Sequence, residues 1–142
     1  VIVALLSPLR QAMNTPVLTK HIPLFVHVLT PAHDPESGRL DAERLGQLMG
    51  LSVPEMARAL GRTPQGLRKN PAAESLQSQL ARVVLLVTRL RELLSDNLEY
   101  VRMWLHAPHP DLGGRTPLSY LEEQKIETLE QMVEMAELGQ MG

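Results

Sequence analysis

A chain of 142 residues, 44% hydrophobic and 21% charged, has the composition of one ordinary folded domain rather than of a disordered segment. The absence of cysteine excludes disulfides and thiolate metal sites and fits a cytoplasmic setting. The only aromatics, Phe25, Tyr100, Trp104 and Tyr120, are too few for a platform that stacks single-stranded bases. A net charge of −2 hides a segregation. Residues 1–50 balance four basic against four acidic groups, residues 51–95 set seven basic against three acidic (net +4), and residues 96–142 set three basic against nine acidic (net −6). Two faces for two kinds of partner would read this way, as would chance in a short chain.

Taken in order, the chain begins with an apolar arm broken by Pro8, Pro16 and Pro23, with a short helix expected near residues 5–13. Met13 heads an alternative start, and no function is placed on residues 1–12. The apolar runs 1–6 and 22–29 are too short to span a bilayer and lack the flanks of a signal peptide, so no membrane partner is expected. Residues 30–38, with Pro31, Pro35 and Gly38, read as a linker.

Helix signals then follow with little spare chain. Asp41 caps a first helix carrying Leu45, Leu48 and Met49, closed by Gly50. Ser52 and Glu55 form a capping box ahead of Met56, Ala57 and Leu60, and Gly61 ends that helix. Thr63-Pro64 starts another at once, which Pro71 ends. Residues 73–94 form the longest periodic segment, with Leu76, Leu80, Val83, Val84, Val87, Leu90 and Leu94 on one face and Leu85, Leu86 and Leu93 widening it. It is expected to be the central strut and the place of a homodimer contact. Asp96 or Asn97 caps a helix carrying Leu98, Val101, Trp104 and Leu105. A loop over 108–116 follows, and Thr116-Pro117 opens a last helix or pair of helices with Ile126, Leu129, Val133 and Ala136 at near-heptad spacing. The class is all-α: a helix-turn-helix N-terminal bundle joined by a long helix to a small helical C-terminal domain. The divisions are an arm and linker (1–38), a helix-turn-helix DNA-binding and dimerisation region (39–95), and the C-terminal domain (96–142).

Ala57, Gly61 and Leu67 stand at the offsets a helix-turn-helix needs: a small residue where helices cross, a left-handed turn, and an apolar lock in the second helix. That arrangement turns Arg62, Gln65, Arg68 and Lys69 outward, with Thr63 at the helix start, toward double-stranded DNA. An ordinary corner in a helical bundle would carry the same spacing. Gly66 and Pro71 both weaken or shorten the second helix, the glycine by about 1 kcal/mol relative to alanine.

The most specific text is residues 104–118. Its fixed points, Trp104, Leu105, Pro108, Leu112, Gly114, Arg115 and Pro117, resemble the toxin-binding domain of the Xre/MbcA/ParS antitoxin family. The resemblance takes in roughly residues 40–138. It implies an all-helical homodimer that blocks a NAD⁺-consuming RES-domain toxin with its C-terminal domain and represses its own promoter. The chemistry of the residues themselves makes Leu112, Gly113, Gly114, Arg115, Glu130 and Glu134 the expected toxin contacts, with Trp104, Pro108 and Pro117 as structural anchors. The last helix departs from the family pattern in its acidity: Glu122, Glu123, Glu127, Glu130, Glu134 and Glu137 stand against Lys125 alone. That acidic face reads equally as a phosphate mimic for a nucleotide cleft and as a solvated surface.

Catalysis is not expected, since no nucleophile elbow, phosphate-binding loop with lysine or zinc-binding histidine pair is spelled out. His106 and His109 are separated by Pro108 and lack a completing ligand, so neither a metal nor a cofactor is expected. Two rivals to an antitoxin remain: an orphan helix-turn-helix regulator without a toxin, and a purely structural adaptor.

Overall fold

A computed structural model describes residues 30–141; the arm and the short helix expected near residues 5–13 lie outside them. The described residues are all-helical, with no β-strand. They form seven α-helices: α1 (Ala42–Met49), α2 (Val53–Leu60), α3 (Pro64–Lys69), α4 (Gln77–Leu93), α5 (Leu98–His106), α6 (Pro117–Glu122) and α7 (Ile126–Met141).

The helix starts are set by the side chains named above. The Arg44 N–H donates to Asp41 at 3.0 Å, and the Gly66 N–H donates to the Thr63 hydroxyl at 3.0 Å. The capping box closes in both directions, Glu55 N–H to the Ser52 hydroxyl at 3.2 Å and Ser52 N–H to the Glu55 carboxylate at 2.8 Å. At the α4–α5 junction the cap is Asn97, which accepts from Glu99 N–H at 2.9 Å. Asp96 sits beside it in a left-handed conformation (φ 56°). Residues 73–94 are not one helix: a 3₁₀ turn at Glu74–Leu76 precedes α4. The stretch read as a linker is a tied-down loop, because Asp41 N–H donates to Ala32 O at 2.8 Å and Ala32 is fully buried.

One core runs through the chain, from Ala32 to Val133. The C-terminal helices pack onto the N-terminal ones: α5 lies on α1, where Arg102 Nε donates to Leu48 O at 2.8 Å, and α6 lies on α2. Leu85 is the exception on α4; it is 56% exposed, so the broad apolar stripe read from the sequence is narrower by one position.

The α4–α7 pair follows a coiled-coil register. Arg82 reaches Glu130 with both Nε (2.8 Å) and Nη2 (2.7 Å), and one heptad on Arg89 reaches Glu137 through Nη2 at 2.6 Å. Both pairs join residues 48 apart, so the two helices run parallel. Interhelical ion pairs of this kind link a g position to the e position of the next heptad. The register then sets Val83 against Ile126, Leu86 against Leu129, Leu90 against Val133 and Leu93 against Ala136. The first of these pairs lines a common cavity of about 140 Å³.

The ion pairs seal one flank of this seam. Hydrogen bonds from Arg82 hold the Glu130 carboxyl below its ordinary pKa, and its partner guanidinium is raised in return. Near the far end of α4 Glu92 behaves oppositely. Burial first, then Glu137 and Asp96, raise its pKa, so its ionised form is disfavoured in the folded chain. A raised carboxylate pKa removes stability as pH climbs from the ordinary value through the raised one, and that loss persists at neutrality. Glu92→Gln should therefore melt above the wild type at pH 7, and the two should converge once both states of Glu92 are protonated in acid.

Candidate functional site

Two surfaces carry the chemistry. The first is an apolar groove of about 760 Å³ on the flank of the α4–α7 seam that no ion pair closes. Leu90 and Leu93 of α4, Leu94 just after it, and Met132, Val133, Met135 and Ala136 of α7 form its floor and one wall, and Trp104 of α5 with His109 forms the other. Leu93 and Ala136 both line it, and at the layer where the register sets them opposite each other alanine fills less space than a leucine or isoleucine would. Thr128, Gln131 and Asp111 stand at its edge.

The loop beside it is rigid for reasons visible in its hydrogen bonds. His109 N–H donates to Arg115 O and Gly114 N–H to His109 O, both at 3.0 Å. Gly113 (φ 66°) and Gly114 (φ 82°) take successive left-handed conformations that only glycine adopts without strain. Leu112 plugs the loop into the core at 3% exposure. The His109 ring lies 5.2 Å from the Trp104 ring, and its Nε2 is 3.1 Å from Trp104 O, which fixes the half-buried indole against the loop.

The residues assigned to a toxin from the sequence do not gather at the groove; none of Leu112, Gly113, Gly114, Arg115, Glu130 or Glu134 lines it. Leu112 is an interior anchor. Arg115 lies over the Tyr120 ring at 4.5 Å and pairs with Glu123. Glu130 is taken up by Arg82, and Glu134 is exposed. Of the anchors, Pro117 is buried, Pro108 is exposed, and Trp104 is half-buried at the groove wall. Leu93, Met132, Met135 and Ala136, which line the groove, are not among the residues assigned to a toxin from the sequence. The signal for them was an alanine at a heptad position opposite leucine, legible only once the helices are set in register.

The second surface is α3. Leu67 alone points into the core, and Gln65, Arg68 and Lys69 are exposed. Arg62 stands beside them, with Nη2 donating to the Ser75 hydroxyl at 3.5 Å. Gly66 has a local reason: a Cβ there would lie 3.0 Å from the Thr63 hydroxyl that caps the helix. The basic middle of the chain largely cancels against the acidic third. Arg58 pairs with Glu122, Arg82 with Glu127 and Glu130, Arg89 with Glu137, and Arg91 with Asp96 at 3.5 Å. Arg62, Arg68 and Lys69 are the basic groups of that region with no ion pair among the described residues.

The C-terminal third thus presents a tightly hydrogen-bonded loop beside a two-helix groove with an indole wall. Residues 89–139 match the family model for the antitoxin Xre/MbcA/ParS C-terminal toxin-binding domain, so the likeness drawn from residues 104–118 holds for that segment. No curated protein and no solved structure matches the chain significantly. No described helix is long and apolar enough to cross a membrane.

Proposed function

We propose that this protein is the antitoxin of a type II toxin–antitoxin pair, neutralising a RES-domain toxin by direct binding and repressing its own promoter through α2 and α3. One observation carries the first half: every residue that lines the groove lies inside the segment matched by the toxin-binding family model. A concave apolar surface with a few polar groups at its edge is where a protein partner gains most from burial. The choice of a RES toxin rests on the resemblance of residues 104–118. The protein acts by occupying its partner in the cytoplasm and carries out no reaction of its own.

The DNA half is supported by three cations with no ion pair among the described residues, Arg62 in the turn that follows Gly61 (φ 68°) and Arg68 and Lys69 on α3. These are the groups that electrostatic attraction to phosphates requires. A homodimer contact on the outer side of α4 would bury the exposed Leu85.

The test is co-expression with a RES-domain protein encoded beside this gene. Growth arrest by that protein alone should be lifted by this chain, and the two should elute together in size exclusion. Arrest that persists, with the two proteins eluting apart, overturns the antitoxin reading. Removing residues 104–142 is not an equivalent experiment. It strips Leu105, Leu112, Leu118, Leu121, Leu129 and Val133 from the single core, which should unfold the rest.

A further inference from the structure

We infer that the groove is a third-helix slot, and that its occupant is an amphipathic helix of the toxin, about two turns long, with a lysine or arginine at one end. The inference rests on the antitoxin reading and deepens it by naming the shape and chemistry of the segment that docks.

The shape follows from the seam. Two parallel helices in heptad register leave two flanks, and here they differ. One is closed by the Arg82–Glu130 and Arg89–Glu137 pairs. The other presents Leu94 and Met132 with no ion pair across it, and it opens on the groove. Side chains on that flank recur three and four residues apart on α7, at Thr128, Gln131 or Met132, and Met135 or Ala136, which is the spacing a packed helix meets with its own ridges. An extended strand projects alternate residues and would leave every second hole empty. From Thr128 to Ala136 the floor runs about 12 Å, close to two helical turns.

The chemistry follows from the rim. Met135 is 70% exposed although it is part of the wall, an apolar surface that a partner would cover. Asp111 is the one charged residue lining the groove, and it is exposed without an ion pair among the described residues. A cation on the docking helix would meet it at a wet edge, where it selects orientation more than it adds affinity.

The experiment uses the full chain and a catalytically silenced RES-domain protein encoded beside the gene. A photoreactive p-benzoylphenylalanine in place of Met135 should crosslink to partner residues recurring three or four apart. Ala136→Phe, which fills the slot from an exposed position, should weaken binding at least about tenfold, a loss of ~1.4 kcal/mol, with an unchanged melting temperature. Asp111→Lys should weaken it more than Asp111→Asn. Crosslinks at alternate partner residues, crosslinks to a second copy of this chain, or an Ala136→Phe variant that binds as the wild type does would each overturn the slot and leave the antitoxin reading standing. A wild-type chain that captures no such partner overturns both.

Discussion

Leu129→Ala should lower the midpoint of thermal unfolding by roughly 10 °C. Leu129 is fully buried, and the heptad register sets it opposite the buried Leu86 in the α4–α7 seam. Cutting a buried leucine back to alanine removes its transfer energy and leaves a cavity that the surroundings fill only in part, a loss of about 3 kcal/mol. For a chain of this size each kcal/mol moves the midpoint by roughly 3–5 °C. The loss should be felt by the whole molecule, since α7 also supports α6, and α6 rests on α2. Leu85→Ala serves as the contrast: the side chain is exposed, and the change should stay within about 0.5 kcal/mol. Calorimetry on the two variants decides the point. A Leu129→Ala protein melting within about 2 °C of wild type would mean that α7 is not part of the common core.

Arg68→Ala combined with Lys69→Ala is expected to reduce affinity for promoter DNA by ten- to a hundredfold at moderate salt, and to flatten the dependence of log affinity on log salt by about two. Both side chains project from α3 into solvent, so the melting temperature should hold. Arg58→Ala is the informative companion. It removes a positive charge from the same stretch of sequence, but one already satisfied by Glu122, so it should leave DNA affinity in place and slightly lower stability. Mobility shifts across a salt series would check all three substitutions. Equal weakening by Arg58→Ala and by the α3 pair would show that total basic charge, and not the face of α3, is what DNA reads.

Local chemistry was legible from the sequence. The caps at Asp41, Ser52, Thr63 and Thr116 are where the side chains predict them, and Gly50 and Gly61 take the left-handed turns expected of them. These features depend on residues within one helical turn of each other. What required the folded chain was long-range. The charge segregation between 51–95 and 96–142 read as two external partners or as chance, yet three of the seven basic groups, Arg58, Arg82 and Arg89, meet acids of the C-terminal third across separations such as 48 and 64 residues. No local pattern distinguishes a glutamate meant for a partner from one meant for the neighbouring helix. The groove was hidden for the same reason. Trp104 stood out as a large side chain, but Ala136 becomes a gap only when Leu93 is known to lie opposite. The end of α6 was ambiguous because Gln124 turns the chain at φ 62° without a glycine to announce it.

That turn at Gln124 has an evolutionary cost. Its side-chain amide donates to Arg58 O at 3.3 Å and would crowd any side chain placed at Gly61, so the end that bears the groove and the end that bears α3 interlock like carved joinery. A chimaera grafting a foreign C-terminal third onto these first helices would import mismatched joints at Arg58, Leu48 and Arg82 together. New toxin specificity in this lineage should therefore arise by repainting the groove walls, and wholesale exchange of halves should yield insoluble hybrids.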